Sequence, residues 1–159
     1  MISRMLVFVA LLAVSVSTAA TPLATVFASD LIMARSHEKF PEAMLTLQTS
    51  IKEHGYKVAH VQRIDIGLTG MGYKTDMYRV VFVGKLDEIQ YLTSKYPHLT
   101  AYLPHKVAIF AENKDTLLVT VNPVVYKEMI DDDEDKLIFD RWESDVYSVF
   151  DDFSSAAED

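Results

Sequence analysis

Apolar and polar positions alternate most regularly between Lys106 and Asn122, KVAIFAENKDTLLVTVN. Val107, Ile109 and Ala111 alternate with Ala108 and Phe110. After the polar break Glu112 to Asp115, Leu117, Val119 and Val121 alternate with Leu118, Thr120 and Asn122. Period two on both sides of a short polar turn predicts an antiparallel hairpin. Both of its faces are largely apolar, which places it in the middle of a sheet with at least one face covered.

The flanking sequence supplies the other layers. Ser29 to Ser36 reads as a first strand. A helix follows, with Pro41 in its first turn, Glu42 at its positive end, and Phe40, Met44, Leu47 and Ile51 at helical spacing. Gly55 stands where a left-handed C-cap is wanted. Tyr56 to Ile66 reads as a second strand, with Val58, His60, Gln62 and Ile64 along one face. The glycine-rich stretch Gly67 to Gly72 reads as a loop, and Tyr78 to Gly84 as a third strand. Leu86, Ile89, Leu92 and Tyr96 mark a second helix that Pro97 stops, and His98 to Pro104 reads as a turn. After Asn122-Pro123 a helical region begins, restarting beyond the acidic run 131–135. There Ile138, Trp142, Val146, Val149 and Phe153 form a stripe flanked by Phe139 and Phe150. The predicted fold class is α+β: one curved antiparallel sheet in the order β-α-β-β-α-β-β-α, with the helices on one face.

Composition narrows the classes of function. Half of the 159 residues are hydrophobic and none is cysteine, so one core of fair size forms and no disulfide or thiol chemistry is available. Arg4, the apolar run Met5 to Val14 and the small residues up to Ala20 read as a secretory signal, residues 1–20. Its apolar run is too short to span a bilayer, so cleavage is expected after Ala19 or Ala20, with retention as an anchor as the alternative. The mature chain is then periplasmic or secreted, with no membrane span. The net charge of −8 is concentrated at the C-terminus, where thirteen acids from Glu128 onward face only Lys136 and Arg141. Residues 21–127 form a nearly neutral body and 128–159 an acidic helical extension. No basic face is left for nucleic acid.

No motif announces catalysis. Gly67-Leu68-Thr69-Gly70-Met71-Gly72 leads into a strand rather than a helix, so it offers no phosphate site. It reads first as an ordinary turn, and next as a mobile strand-to-strand loop whose Met71 and Tyr73 cover a pocket. The five histidines, His37, His54, His60, His98 and His105, have no metal-ligand spacing, and no metal or other cofactor is expected. His98 and His105 flank a turn and read as exposed. His60 is the candidate ligand or general base, facing a pocket between the sheet and the C-terminal helix. The candidate ligand-binding residues are His60, Met71, Tyr73 and Tyr78. Arg63, Lys74 and Arg79 form a candidate polar rim that Asp65 and Asp76 can equally neutralise as ion pairs. No activated nucleophile is present, and the acidic run lacks the glycine and glutamate positions of a calcium loop.

The stretches HGYKVAHVQRIDIGLTGMGYKTDMYRVVFVGK and YPHLTAYLPHKVAIFAENKDTLLVTVNP resemble the bacterial family catalogued as domain of unknown function 302. The likeness runs from about Asp30 to Val125, with Gly55-Tyr56, Leu103-Pro104 and Asn122-Pro123 as signposts. It implies a fold similar to the TATA-binding-protein type and a homodimer, and it implies no activity. The function expected is therefore an exported binding module for a small apolar ligand or a protein partner. The alternatives are a small enzyme using His60 as general base, or a non-covalent haem or metal binder.

Overall fold

The computed structural model describes residues 30–156; the expected signal, residues 1–20, lies outside them. The strands are β1 (Leu31–Ser36), β2 (Lys57–Arg63), β3 (Tyr78–Gly84), β4 (His105–Glu112) and β5 (Asp115–Val121). The helices are α1 (Phe40–Glu53), α2 (Ile64–Gly70), α3 (Leu86–Lys95) and α4 (Asp133–Ser155), with 3-10 segments at Pro97–Ala101 and Pro123–Met129. All pairings are antiparallel and the sheet order is β1-β5-β4-β3-β2. The β4–β5 hairpin is thus internal to the sheet. Strands β2 to β5 follow one another as a meander, while β1 and β2 occupy opposite edges and α1 carries the chain between them.

The buried face explains why these elements stay together. Ile32, Leu118, Val107, Ile109, Val81 and Val83 point to one side of the sheet, against α1, α4 and the second 3-10 segment. Phe40, Ala43, Leu47 and Ile51 supply the inner stripe of α1. Phe139, Trp142, Val149, Phe150 and Phe153 supply that of α4, and burying each stabilises the fold by roughly 1.5–3 kcal/mol. Helix α3 packs tightly against the end of β3 because residue 84 has no side chain: a Cβ on Gly84 would lie 2.2 Å from Ile89 Cδ1.

Caps and anchors set the ends. Gly55, at φ +79°, closes α1 with bonds from its own N–H to Lys52 O and from the Tyr56 N–H to Ile51 O, both 3.0 Å. The acidic run serves α4 directly. Asp132 caps it, accepting the N–H groups of Glu134 (3.0 Å) and Asp135 (3.2 Å). Buried Asp135 accepts from Tyr91 (3.0 Å), Tyr96 (2.7 Å) and Lys95 (2.8 Å) on and after α3. Helix α4 therefore starts at Asp133, inside the run rather than beyond it.

Two local readings are corrected. Strand β2 stops at Arg63, and the expected loop 67–72 begins as helix α2. Gly72, at φ +90°, ends that helix as Gly55 ends α1: its N–H reaches Thr69 O and that of Tyr73 reaches Leu68 O, both 3.0 Å. A bulge between Val58 and His60 also shifts the register of β2 against β3. Val58 stays opposite inward-facing Val83, but His60 falls opposite Phe82, so the two residues expected on one face lie on opposite faces.

Candidate functional site

The sheet has a second face, and no helix among the described residues covers it. Register places its side chains in three rows across the strands. Leu31, Val121, Lys106, Phe82 and His60 form the first; Met33, Val119, Ala108, Val80 and Gln62 the second; Arg35, Leu117, Phe110 and Tyr78 the third. Most of these positions are apolar or aromatic and none is acidic. Met33 is 60% exposed, Leu31 43% and Val121 39%, all at the β1–β5 edge; Val80, Phe82, Ala108, Phe110 and Val119 are half-buried and Leu117 is buried. Phe110 meets Tyr78 edge-on at 6.1 Å between ring centroids. With strands about 4.8 Å apart and residues rising about 3.3 Å, the rows cover on the order of 500 Å² in projection. That is the whole face, polar positions included; its apolar part lies within the usual range for patches on monomers, about 300–600 Å².

The covered face holds no comparable space. Its cleft, lined by Tyr56, Val83, His105, Val107, Trp142 and Val149 among others, has room for about 30 Å³. A water or two would fill it, whereas ligand pockets run to roughly 300–1,000 Å³.

Residues 32–152 match the family described as Domain of unknown function DUF302. The chain belongs to the DUF302 family. The matched span takes in α4 as far as residue 152. A crystal structure of an uncharacterised conserved DUF302 protein from Bacillus stearothermophilus is similar, with a TM-score of 0.68 at 19% identity over 77% of this chain and 96% of that one. At that identity the likeness shows the fold. No curated protein matches the chain.

Within this DUF302 domain the residues singled out from sequence do not converge. His60 lies on the bare face, exposed, with Nε2 3.2 Å from Gln62 Oε1 and its ring 5.9 Å from that of Phe82. It faces away from α4, because the bulge turned it. Met71 (68% exposed) and Tyr73 (65%) sit on the arm between α2 and β3, and Tyr78 borders the bare face where that arm joins it. Ile66 on α2 and Met77 on the arm are also exposed, and no residue of α2 is buried.

Of the polar rim, Arg79 is turned inward. Its guanidinium bonds Asp65 and lies 5.5 Å from the centroid of the Phe40 ring. Arg79 holds the Asp65 carboxyl below the usual carboxylate range, and Arg63 stands 4.0 Å from the same carboxylate. Lys74 is exposed on the arm. Among the described residues no group of histidines and carboxylates has the geometry of a metal site, and no helix is long and apolar enough to cross a membrane.

Two histidines read from sequence as exposed turn residues have structural partners. His98 bonds the Met129 carbonyl at 2.9 Å. His105 is 3% exposed and is the first inward residue of β4. Extending the alternation Val107, Ile109, Ala111 one step back would have found it. The bare face went unread because alternation marks an apolar face without saying whether anything covers it.

Proposed function

We propose that this DUF302 chain is an exported, non-enzymatic binding module that works through the bare face of its sheet, and that the occupant is a second copy of the chain. The observation that carries this reading is the three-row apolar face itself. Its projected area, on the order of 500 Å², is somewhat less than one partner's share of a standard interface, about 800 Å². A two-fold arrangement would cover both bare faces at once and stop there. Small Ala108 at the centre, with larger Phe82, Phe110, Leu31 and Met33 around it, suits two sheets packed about 10 Å apart. Of the two cations in the rows, Arg35 is neutralised by Glu112 at 2.6 Å and Asp115 at 2.7 Å, and Lys106 reaches to the Tyr102 carbonyl at 3.2 Å, so a second copy packs on the apolar positions between them. The acids of α4 lie on the helical side, out of the way of the contact.

A protein surface fits this face better than a small apolar ligand does, since the covered side is filled and the bare side is open. The pattern of residues 1–20 supports export to the periplasm or beyond. The test is light scattering on the mature chain at micromolar concentration. Wild type should be a dimer. Met33→Glu, which replaces a 60% exposed side chain and so leaves the fold intact, should be a monomer with an unchanged melting temperature in its monomeric state. A wild type that stays monomeric at 100-fold higher concentration, or a Met33→Glu dimer, overturns the reading.

A further inference from the structure

His105 is the one histidine sealed inside the described domain. Strand β4 holds it toward the helices, between Thr120 of β5 and Tyr126 of the second 3-10 segment. Its Nε2 lies 2.7 Å from Thr120 Oγ1. That hydroxyl gives its single proton to the Lys106 carbonyl, also at 2.7 Å, so Nε2 must carry hydrogen and donate. Nδ1 is left to accept from the Tyr126 hydroxyl, 3.4 Å away. The pair of contacts specifies a neutral ring.

A second proton on Nδ1 would find little support. Tyr126 is hemmed in by Tyr102 and Phe139, with ring centroids at 5.9 and 5.7 Å. Asp145 of α4 lines the same cleft, but it already accepts from Tyr56 (2.8 Å) and Lys85 (3.2 Å). The remaining charged neighbour, Lys106, is the next residue on the strand and disfavours a cation. Burial accordingly pushes the His105 imidazole down to about 4, with Lys106 adding to it.

The cleft beside His105 admits about 30 Å³, a foothold for water. Hydrating an imidazolium there requires something to move. Strand β4 is bonded on both sides by β3 and β5. The covering elements, by contrast, are held through side chains: Tyr126, and on α4 Trp142, Val146 and Val149. We propose that His105 is an acid-sensitive latch whose protonation releases the second 3-10 segment and α4 from an otherwise intact sheet. The proposal concerns the covered face only and is independent of the dimer.

The sign follows from linkage. A ring with its ordinary value near 6.5 when hydrated, and about 4 when covered, favours the closed form above pH 6.5 and loses that contribution as pH falls toward 4. Opening should rise about 20-fold between pH 7 and pH 5. Three α4 anchors stay charged through this window. Lys95 holds Asp132 below the ordinary range, and Ser50 and His54 do the same for Asp152. Burial raises Asp135, but Lys95, Tyr96 and Tyr91 bring it down further.

The test is hydrogen exchange on the full chain at pH 7 and pH 5, corrected for intrinsic rate, with fluorescence of Trp142, the single tryptophan, as a second readout. Amides in 123–156 should open about 20-fold more at pH 5 while those of β4 and β5 keep their protection. His105→Gln should abolish the step, and His105→Leu serves if the glutamine variant does not fold. An equal step in the variants, loss of strand and helix protection together, or a His105 ring that titrates at its ordinary value with the helix still docked would each overturn the latch.

Discussion

Asp135 joins the N-terminal turn of α4 to α3, and replacing it with alanine measures what that junction contributes. The carboxylate is 7% exposed and loses three partners at once. Tyr91 is 47% exposed and the Lys95 side chain 40%, so both recover water and their shares are discounted accordingly. Tyr96 is half-buried and recovers less; a hydrogen bond to a charged group is worth about 1.5–3 kcal/mol. Loss of an acid from the first helical turn adds about 0.5 kcal/mol. Asp135→Ala should therefore destabilise by about 2–3 kcal/mol, a fall of roughly 6–12 °C in melting temperature for a domain of this size. Urea unfolding followed by circular dichroism reads the difference as a lower midpoint at unchanged slope. Asp133→Ala is the control: its side chain is 92% exposed and pairs only with Lys136, so the shift should stay within about 0.5 kcal/mol. A double-mutant cycle with Tyr96→Phe should return most of the coupling. Because the Asp135 carboxyl is depressed in the fold, the difference from wild type should be full above about pH 5 and shrink as pH falls below 4. Equal effects of the two alanines would refute the division of the acidic run into anchor and solvated charge.

Three further outcomes are expected. Gly55→Ala and Gly72→Ala both force a side chain into a left-handed conformation, at about 1 kcal/mol each. The first should lower the global melting temperature, whereas the second should raise exchange only in residues 64–77, because α2 buries nothing. Trp142→Phe removes the indole N–H that Glu88 accepts at 2.6 Å and leaves a gap against Phe139, so a loss of about 2–3 kcal/mol in chemical denaturation should follow. His60→Gln, at an exposed position, should leave monomer stability within about 0.5 kcal/mol of wild type by thermal melting.

Much of the fold was legible because period and punctuation agreed locally. The β4–β5 hairpin, the Gly55 cap and the stop at Pro97 each rest on residues within a few positions of one another. What escaped depended on single-residue geometry or on distant partners. One extra residue in β2 reversed the face of His60, a change that alternation cannot register. Gly67 and Gly70 favour a loop by composition, whereas the closure at Gly72 ends a helix that begins at Ile64. Five consecutive charges look alike in sequence; only the position of Lys95, Tyr91 and Tyr96 on another element separates Asp135 from Asp133. The candidate site was read least well. Its residues are spread over an arm, an inward ion pair and an outward face, and the surface that unites Leu31 with His60 draws on all five strands.

The pairing of β1 with β5 has a consequence for how the molecule comes into being. Ser36 lies opposite Thr116, some 80 positions later in the chain. The first strand of the described domain has no neighbour until the other four have been synthesised, and the sheet acquires its full width only then, with α4 still to follow. Closing so long a loop is slow relative to forming the meander β2 to β5, whose partners are close in sequence. A chain built in this order keeps its leading strand unpaired for longest, so the β1 edge is the last part of the sheet to close.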